Sequence, residues 1–352
     1  MKFTFNKQFM VLMFLLLNCF ASYAANEDLI TKQITLKLTE AGTLPDAIGS
    51  SKKYLVTNLK IIGEINGTDL RFIREMAGCD VKGYRISGNL SVLDLSEARF
   101  VAGGDSYYDA IGCYTSNDIM GKYAFCGCRS LTSVNIPSSV TEIGYEAFSG
   151  CSSLTSVNIP SSVTSIEEST FSGCSSLTSV NIPSSVTYIG DGVFSGCSSL
   201  INVNIPSSVT RIEGGAFFGC SSLTSVNIPS SVTSIGEWAF DDCRGLRSVY
   251  VYAETAPAGI GRAFEQRHGL YLENCTLYVP KGTYDAYCWL SELECFGNIV
   301  EFDATNIRNI VAEPEVQKSA RYAVNGQRLT APVKGINLVK YNNGRVKKEI
   351  VK

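Results

Sequence analysis

Histidine is almost absent. His268 is the only one in 352 residues, so any Ser-His-Asp or Cys-His arrangement would have to use it. It lies in the polar stretch Glu265-Gln-Arg-His-Gly with no nucleophile motif nearby, and reads as a solvated loop residue. Zinc-ligand spacing is missing too. Cys126-Gly-Cys128 is too close for a usual ligand pair, and no second cysteine or histidine pair completes a set of four. No phosphate-cradling glycine loop is present: Gly214-Gly215 reads as a turn. Glu167-Glu168 read as a solvated edge. These gaps leave no catalytic residue, no metal and no cofactor to expect. Charge is sparse as well, at 18% of residues with a formal net charge of −3 and no basic stripe. That removes nucleic acid from the partners.

Long apolar runs are missing except at the start. Phe9–Leu17 is too short to be a clear bilayer span, follows Lys2 and Lys7, and precedes the small-x-small triplet Ser22-Tyr23-Ala24. This pattern predicts a secretory leader over residues 1–24 and a mature chain from Ala25. Losing Lys2 and Lys7 takes the net charge from −3 to −5. A lipid-attachment reading of Leu17-Asn18-Cys19 is weakened by Asn18, where a small residue is wanted. The remaining chain is not a disordered tail, because 45% of the sequence is apolar.

What fills the chain is a repeat. Cys128, Cys151, Cys174, Cys197, Cys220 and Cys243 stand 23 residues apart, and Leu131 and Phe125 begin columns with the same step. A fixed period of this size marks a solenoid. Leu131, Val134 and Ile136 follow Leu-x-x-Leu-x-Leu, with the last two on one side of a strand and Ser133 and Asn135 on the other. Pro137 ends the strand, Ser138-Ser139 turns, and Val140 to Ile143 extends again. Gly144 permits a bend, Ala147-Phe148 returns to the core, and Gly150 closes the coil. One coil cannot bury its apolar side, but stacked coils can, in six columns of Leu, Val, Ile, Val, Ile and Phe.

The consensus Leu-x-x-Val-x-Ile-Pro-x-x-Val-x-x-Ile-Gly-x-x-Ala-Phe-x-x-Cys resembles the BspA-like leucine-rich repeat of bacterial, mainly Bacteroidetes, surface proteins. The resemblance spans about seven coils. It implies a curved right-handed leucine-rich-repeat solenoid of 23-residue, β-rich coils, exported to the cell surface or outer membrane or released. It also implies a binding or adhesion protein, not an enzyme. Some relatives adhere to host matrix proteins, which makes a protein ligand, host extracellular matrix among them, the expected partner. A glycan is the second candidate, and a purely structural surface role the third. The protein is expected to be monomeric.

In order, residues 25–88 read as a non-repeat N-terminal cap, with Ile34–Leu38 and Tyr54–Ile65 extended. Thr43 is expected to cap a helix over Pro45–Ile48, and Thr68 or Asp69 one over Leu70–Ala77. Residues 89–252 are the solenoid, opening at Leu90, Leu93 and Leu95. Leu90 to Leu131 is 18 residues longer than one repeat, and the surplus at Val101–Asp118 is an inserted loop. It reads either as a functional loop or as a flap packing Tyr107 and Tyr108 over the first coil. Residues 253–303 resemble the family's closing cap. Residues 304–352 hold a linker and three strand-like runs with turn signals at Asn325-Gly and Asn343-Gly. This last part reads as a small β-module, or as a C-terminal sorting segment similar to that of Bacteroidetes proteins using type IX secretion.

Of 13 cysteines, Cys19 leaves with the leader. The six in the column point in parallel, which suits buried thiols better than bridges. Cys79, Cys113, Cys126, Cys275, Cys288 and Cys295 are the better bridge candidates. On the surface, the Ser133 and Asn135 columns and the Thr132 edge column are small and uncharged. They suit a solvated strand hydrogen-bonding along its ladder. Two other places vary freely between coils: Glu142, Ser165, Tyr188, Arg211, Ser234, and the pairs from Tyr145-Glu146 to Glu237-Trp238. Core columns cannot vary without cavities, so these face water. Tyr188, Arg211, Trp238 and Tyr145, with Arg247 and Tyr250 on the other strand, are the candidate binding residues, being of types enriched at hot spots.

Overall fold

One coil shows how the repeat folds. In the computed structural model, Ser133–Asn135 and Glu142–Ile143 are its two strands, joined by the Pro137–Ser139 turn. The structure describes residues 29–264, 272–288, 290, 293 and 295–304, and the backbone of 318–323, 328–329, 335–341 and 346–351. The leader, His268, the linker and both Asn-Gly turns of the tail lie outside the described residues.

The chain opens with β1 (Ile34–Lys37), α1 (Leu44–Ile48), β2 (Asn58–Ile65), α2 (Gly67–Met76) and β3 (Val92–Phe100). The insertion holds β4 (Gly103–Tyr108), β5 (Cys113–Thr115) and β6 (Ile119–Met120). The coils follow in pairs: β7 (Ser133–Asn135) and β8 (Glu142–Ile143), β9 (Ser156–Asn158) and β10 (Ser165–Ile166), β11 (Ser179–Asn181) and β12 (Tyr188–Ile189). Next come β13 (Asn202–Asn204) and β14 (Arg211–Ile212), then β15 (Ser225–Ile228) and β16 (Ser234–Ile235). The end of this unit is β17 (Ser248–Val251), α3 (Ile260–Ala263), β18 (Leu272–Pro280), α4 (Tyr284–Cys288) and β19 (Phe296–Phe302).

First strands pair only with first strands, and second with second, always parallel. The second strands make one six-stranded ladder, β16-β14-β12-β10-β8-β6. The first strands make three consecutive pieces, β1-β2-β3-β7-β9, β11-β13 and β15-β17-β18-β19. The breaks fall where Thr178 N reaches Thr155 O at 3.5 Å and Thr224 N reaches Ile201 O at 3.4 Å. At the other junctions the same bond is 2.9 to 3.1 Å, as for Thr155, Ile201 and Arg247. Strands β1 and β2 extend the sheet in register, with Ile34 opposite Leu59 and Leu59 opposite Leu93. The segment before the repeat thus stacks as further coils of a different sequence.

Register puts identical residues on top of each other. Leu131, Val134, Ile136, Val140, Ile143 and Phe148 and nearly all their equivalents are buried in one continuous core. The phenylalanine rings stack from Phe125 through Phe240 at centroid spacings of 5.1 to 5.6 Å. Phe264 adds a seventh ring at 4.9 Å, and Phe296 meets it edge-on at 5.1 Å. Emptying one ring position costs about 3–5 kcal/mol, since both neighbours lose a packing partner. The sequence signal for the seventh ring is Ile260-Gly261-Arg262-Ala263-Phe264, a shortened copy of the repeat's Ile-Gly-x-x-Ala-Phe.

The serine and threonine content has a structural use. Threonine hydroxyls donate to the carbonyl one coil back, as Thr155 Oγ1 to Thr132 O (2.9 Å) and Thr210 Oγ1 to Thr187 O (3.2 Å). Ser162, Ser185, Ser208 and Ser231 do the same to Val140, Val163, Val186 and Val209. The cysteine column donates its thiols inward: Cys174 Sγ lies 3.2 Å from Phe148 O and Cys197 Sγ 3.2 Å from Phe171 O. Two backbone positions per coil are left-handed. One is Gly127, Gly150, Gly173, Gly196 and Gly219, with φ between 69° and 74°, and Asp242 at φ 57°. The other is Tyr123, Glu146, Ser169, Gly192, Gly215 and Trp238, with φ between 51° and 61°.

Three sequence expectations are corrected. Thr43 does not cap α1 with its side chain, which donates instead to Glu40 O. Asp69 fills that role from a distance, accepting from Gly42 N (2.6 Å) and Leu44 N (2.9 Å). Nor do Thr68 or Asp69 start α2. Asn66 is its N-cap, accepting from Thr68 N (3.0 Å) while Asp69 accepts from Asn66 N (3.0 Å), a reciprocal box. The third concerns bridges. Cys79, Cys113, Cys126, Cys275, Cys288 and Cys295 are all free, as are the six column thiols. Stacking already closes every coil, and it places these thiols against carbonyls and core side chains.

The insertion is an antiparallel hairpin of β4 and β5. Tyr107 is buried and donates to Lys122 O (2.9 Å), and Tyr108 stacks on Tyr123 at 4.9 Å. A second compact unit begins at Asp303. Its strands are β20 (Lys318–Ala323), β21 (Arg328–Leu329), β22 (Gly335–Tyr341) and β23 (Val346–Val351), one more than the sequence suggested. They form an antiparallel sheet in the order β21-β20-β22-β23.

Candidate binding surface

The first residues of the second strands form an outward column, because the next residue, Ile143 and its equivalents, points into the core. Within it Tyr188 sits directly beside Arg211 across β12 and β14. The Arg211 guanidinium is 5.7 Å from the centre of the Tyr188 ring, a cation–π distance. The Tyr188 hydroxyl donates to Glu167 Oε1 (2.9 Å), and Arg211 Nε lies 3.3 Å from Glu213 Oε1. Partial burial raises the Tyr188 pKa, and the Glu167 hydrogen bond adds to it. The result is a strip of aromatic ring, guanidinium and two carboxylates, flanked in the column by Ser165 and Ser234.

The other candidates lie elsewhere. Tyr145 meets Tyr123 edge-on at 5.4 Å, and hydrogen bonding to Glu146 raises its pKa. It belongs to an aromatic row with Tyr108 at the hairpin end. Trp238 stands in the turn column with φ 56°, its N–H donating to Arg262 O (2.9 Å). Four coils separate the Tyr145 and Trp238 turns, roughly 19 Å at one strand spacing per coil. Arg247 and Tyr250 are on the other sheet. Arg247 Nη1 donates to Leu246 O (2.8 Å) and Arg244 O (3.1 Å), while Tyr250 stacks on Tyr278 at 4.4 Å and meets Phe302 edge-on. Six candidates therefore occupy three places, and only Tyr188 and Arg211 are brought into one cluster.

Residues 118–247 match the BspA type leucine rich repeat region in 6 copies. The chain belongs to the BspA-type leucine-rich repeat family. No curated protein matches it. Among solved structures it is similar to a leucine-rich repeat protein of T. pallidum, at 33% identity over 42% of this chain and 71% of that one, TM-score 0.36. It is similar also to a leucine rich cell surface protein of Faecalibacterium prausnitzii, at 28% identity over 55% and 66% of the two chains, TM-score 0.35. A leucine-rich repeat protein of Bacteroides ovatus shares 22% identity over 54% and 66%, TM-score 0.27.

The BspA-type coils also build something that single-residue reading missed. Arg74 of α2 is fully buried against the first coil. Its Nη1 donates to Tyr123 O (2.6 Å) and Ala124 O (3.1 Å), and its Nη2 to Asp80 O (3.3 Å) and Cys79 Sγ (3.4 Å). The Tyr108 ring covers the guanidinium at 5.1 Å. No carboxylate pairs with Arg74 among the described residues. The Cys79 thiol is brought down to about 7, first by a hydrogen bond from Cys128 and then by the Arg74 charge, which acts against burial. Burial pushes Cys128 well up, so the proton of the pair rests there. Only Arg71-Phe-Ile-Arg74 on an apolar helix face hinted at this, because the partners come from three separate segments. Among the described residues no three His, Cys, Asp or Glu side chains gather to hold a metal ion. Nor is any described helix long and apolar enough to cross a membrane.

Proposed function

We propose that the protein is exported, is held at the cell surface, and binds a protein partner through the outer face of the β6–β16 ladder without catalysing a reaction. The observation that carries this reading is the Tyr188–Arg211 pair, set in register between Glu167 and Glu213. A ring and a guanidinium already held by neighbours lose little freedom on binding, and such residues dominate protein interfaces. The flanking serines and threonines leave the pair accessible. The leader pattern of residues 1–24 supports export.

The test is binding of the full mature chain to an array of matrix proteins and glycans. The expected result is saturable binding to a protein, weakened about tenfold or more by Tyr188→Ala with Arg211→Ala, a loss of roughly 1.4 kcal/mol or more. Unchanged binding in that double variant would remove this face from the site. Selective binding to neutral glycans would move the function to polysaccharide capture.

A further inference from the structure

Between the approach to β3 and the first two coils lies an open cleft of about 670 Å³. Arg85, Asn89, Arg129, Ser130, Ser152 and Ser153 contribute its polar lining, and Ile86 is its one sizeable apolar residue. A cleft lined by hydroxyls, an amide and guanidinium groups gains nothing from an apolar occupant. It gains from a ligand that returns a hydrogen bond for each water displaced.

The two arginines are unusual in this chain. Arg71, Arg99, Arg211, Arg244 and Arg262 each have a carboxylate within ion-pair distance. Arg85 and Arg129 are exposed, and neither has such a partner among the described residues. The repeat explains Arg129. It follows column residue Cys128 as Arg244 follows Cys243, but Arg244 is held by Asp242 at 2.6 Å. The position equivalent to Asp242 beside Arg129 is Gly127, so the neutralising acid is missing. On the other wall, the nearby acid Asp80 is already used. Its carboxylate accepts from Lys82 N (2.9 Å) and Tyr84 N (2.7 Å), closing the turn that carries Arg85.

The walls are also held in place. Ile86 N donates to Gly78 O (3.1 Å) and Ser130 Oγ to Gly88 O (2.6 Å), tying one wall to the other. Asn89 Nδ2 donates to Tyr54 O (2.7 Å). A Cβ on Gly88 would stand 2.2 Å from Gly78 N, so glycine is required there for the backbones to meet. Two unneutralised guanidinium groups on a fixed polar frame are suited to fork onto carboxylate or sulfate oxygens.

We infer that this cleft binds an acidic glycan, with Arg85 and Arg129 on its carboxylate or sulfate groups and Asn89 and the serines on its hydroxyls. The site is separate from the Tyr188–Arg211 face and stands or falls on different residues. The test is titration of the full mature chain with four probes at low and high salt: a heparin hexasaccharide, a polygalacturonate hexamer, a dextran oligomer and a polyglutamate peptide. The expected result is that the sulfated or the uronate probe binds, more weakly at high salt, and that dextran does not. Which acidic probe binds identifies the anion. Arg85→Ala with Arg129→Ala should weaken binding about tenfold or more, and Arg85→Lys with Arg129→Lys by less. Arg244→Ala, the same coil position with its own acid, should leave binding unchanged. An unaltered melting temperature shows that the variants remain folded. Silence of both acidic glycans at low salt would overturn the inference. So would equal binding of polyglutamate, or an equal loss in Arg244→Ala.

Discussion

A fully buried arginine needs a counter-charge or a full set of acceptors, and Arg74 is served by three carbonyls and one sulfur. The sulfur belongs to Cys79, whose pKa is lowered to about 7 from an ordinary value near 9. A group with a depressed folded pKa adds stability above its unfolded pKa, and that stability is lost as pH falls through the folded value. Stability should therefore rise between pH 7 and pH 9, by about 1–2 kcal/mol once solvent screening is discounted. The column thiols, pushed upward by burial, oppose this only above pH 9. Chemical denaturation at pH 7 and pH 9 checks it. Cys79→Ser should flatten the rise, and an unchanged rise would show that Cys79 is not the thiolate. The Cys79–Arg74 relation was not legible in the sequence, because five residues apart in the chain says nothing of a side chain curling back under Tyr108.

At the scale of elements, Asp69 ties two helices together. Buried at the first turn of α2, it closes its own capping box and also caps α1 through Gly42 N and Leu44 N. Asp69→Ala would leave three backbone N–H groups without an acceptor and should cost roughly 2–4 kcal/mol. The loss should be local. Hydrogen exchange should quicken at residues 42–48 and 66–70 and stay slow in the coils from β7 onward. If exchange quickens equally throughout, the segment before the repeat folds as one unit with the coils. The two helices were readable from their turn and capping residues, but the identity of the caps was not. A cap from the neighbouring helix, 25 residues away, has no local signature. The strands of the repeat were readable because each pairs with a copy of itself 23 residues on.

For the whole molecule, stability comes from stacking rather than from cross-links. All twelve thiols after Cys19 are free, and the six column thiols each point to a backbone carbonyl. Two consequences can be measured on the mature chain. Reductant should leave the melting temperature unchanged, and a thiol reagent without reductant should label all twelve after unfolding, with the column cysteines silent before it. Fewer than twelve would reveal a bridge. The period, the six core columns, the outward columns and the family were all determined by the sequence itself. A residue repeated every 23 positions meets its own copy whatever the rest of the chain does. Tertiary structure alone decided which variable residues meet. Tyr188 and Arg211 became neighbours through strand register, while Tyr145, Trp238, Arg247 and Tyr250 went to other faces. It also decided that Arg85 and Arg129 share a cleft, since that requires a loop before the repeat to fold back onto coils 44 to 68 residues later. Such contacts depend on the path of the chain between them, which no local pattern encodes.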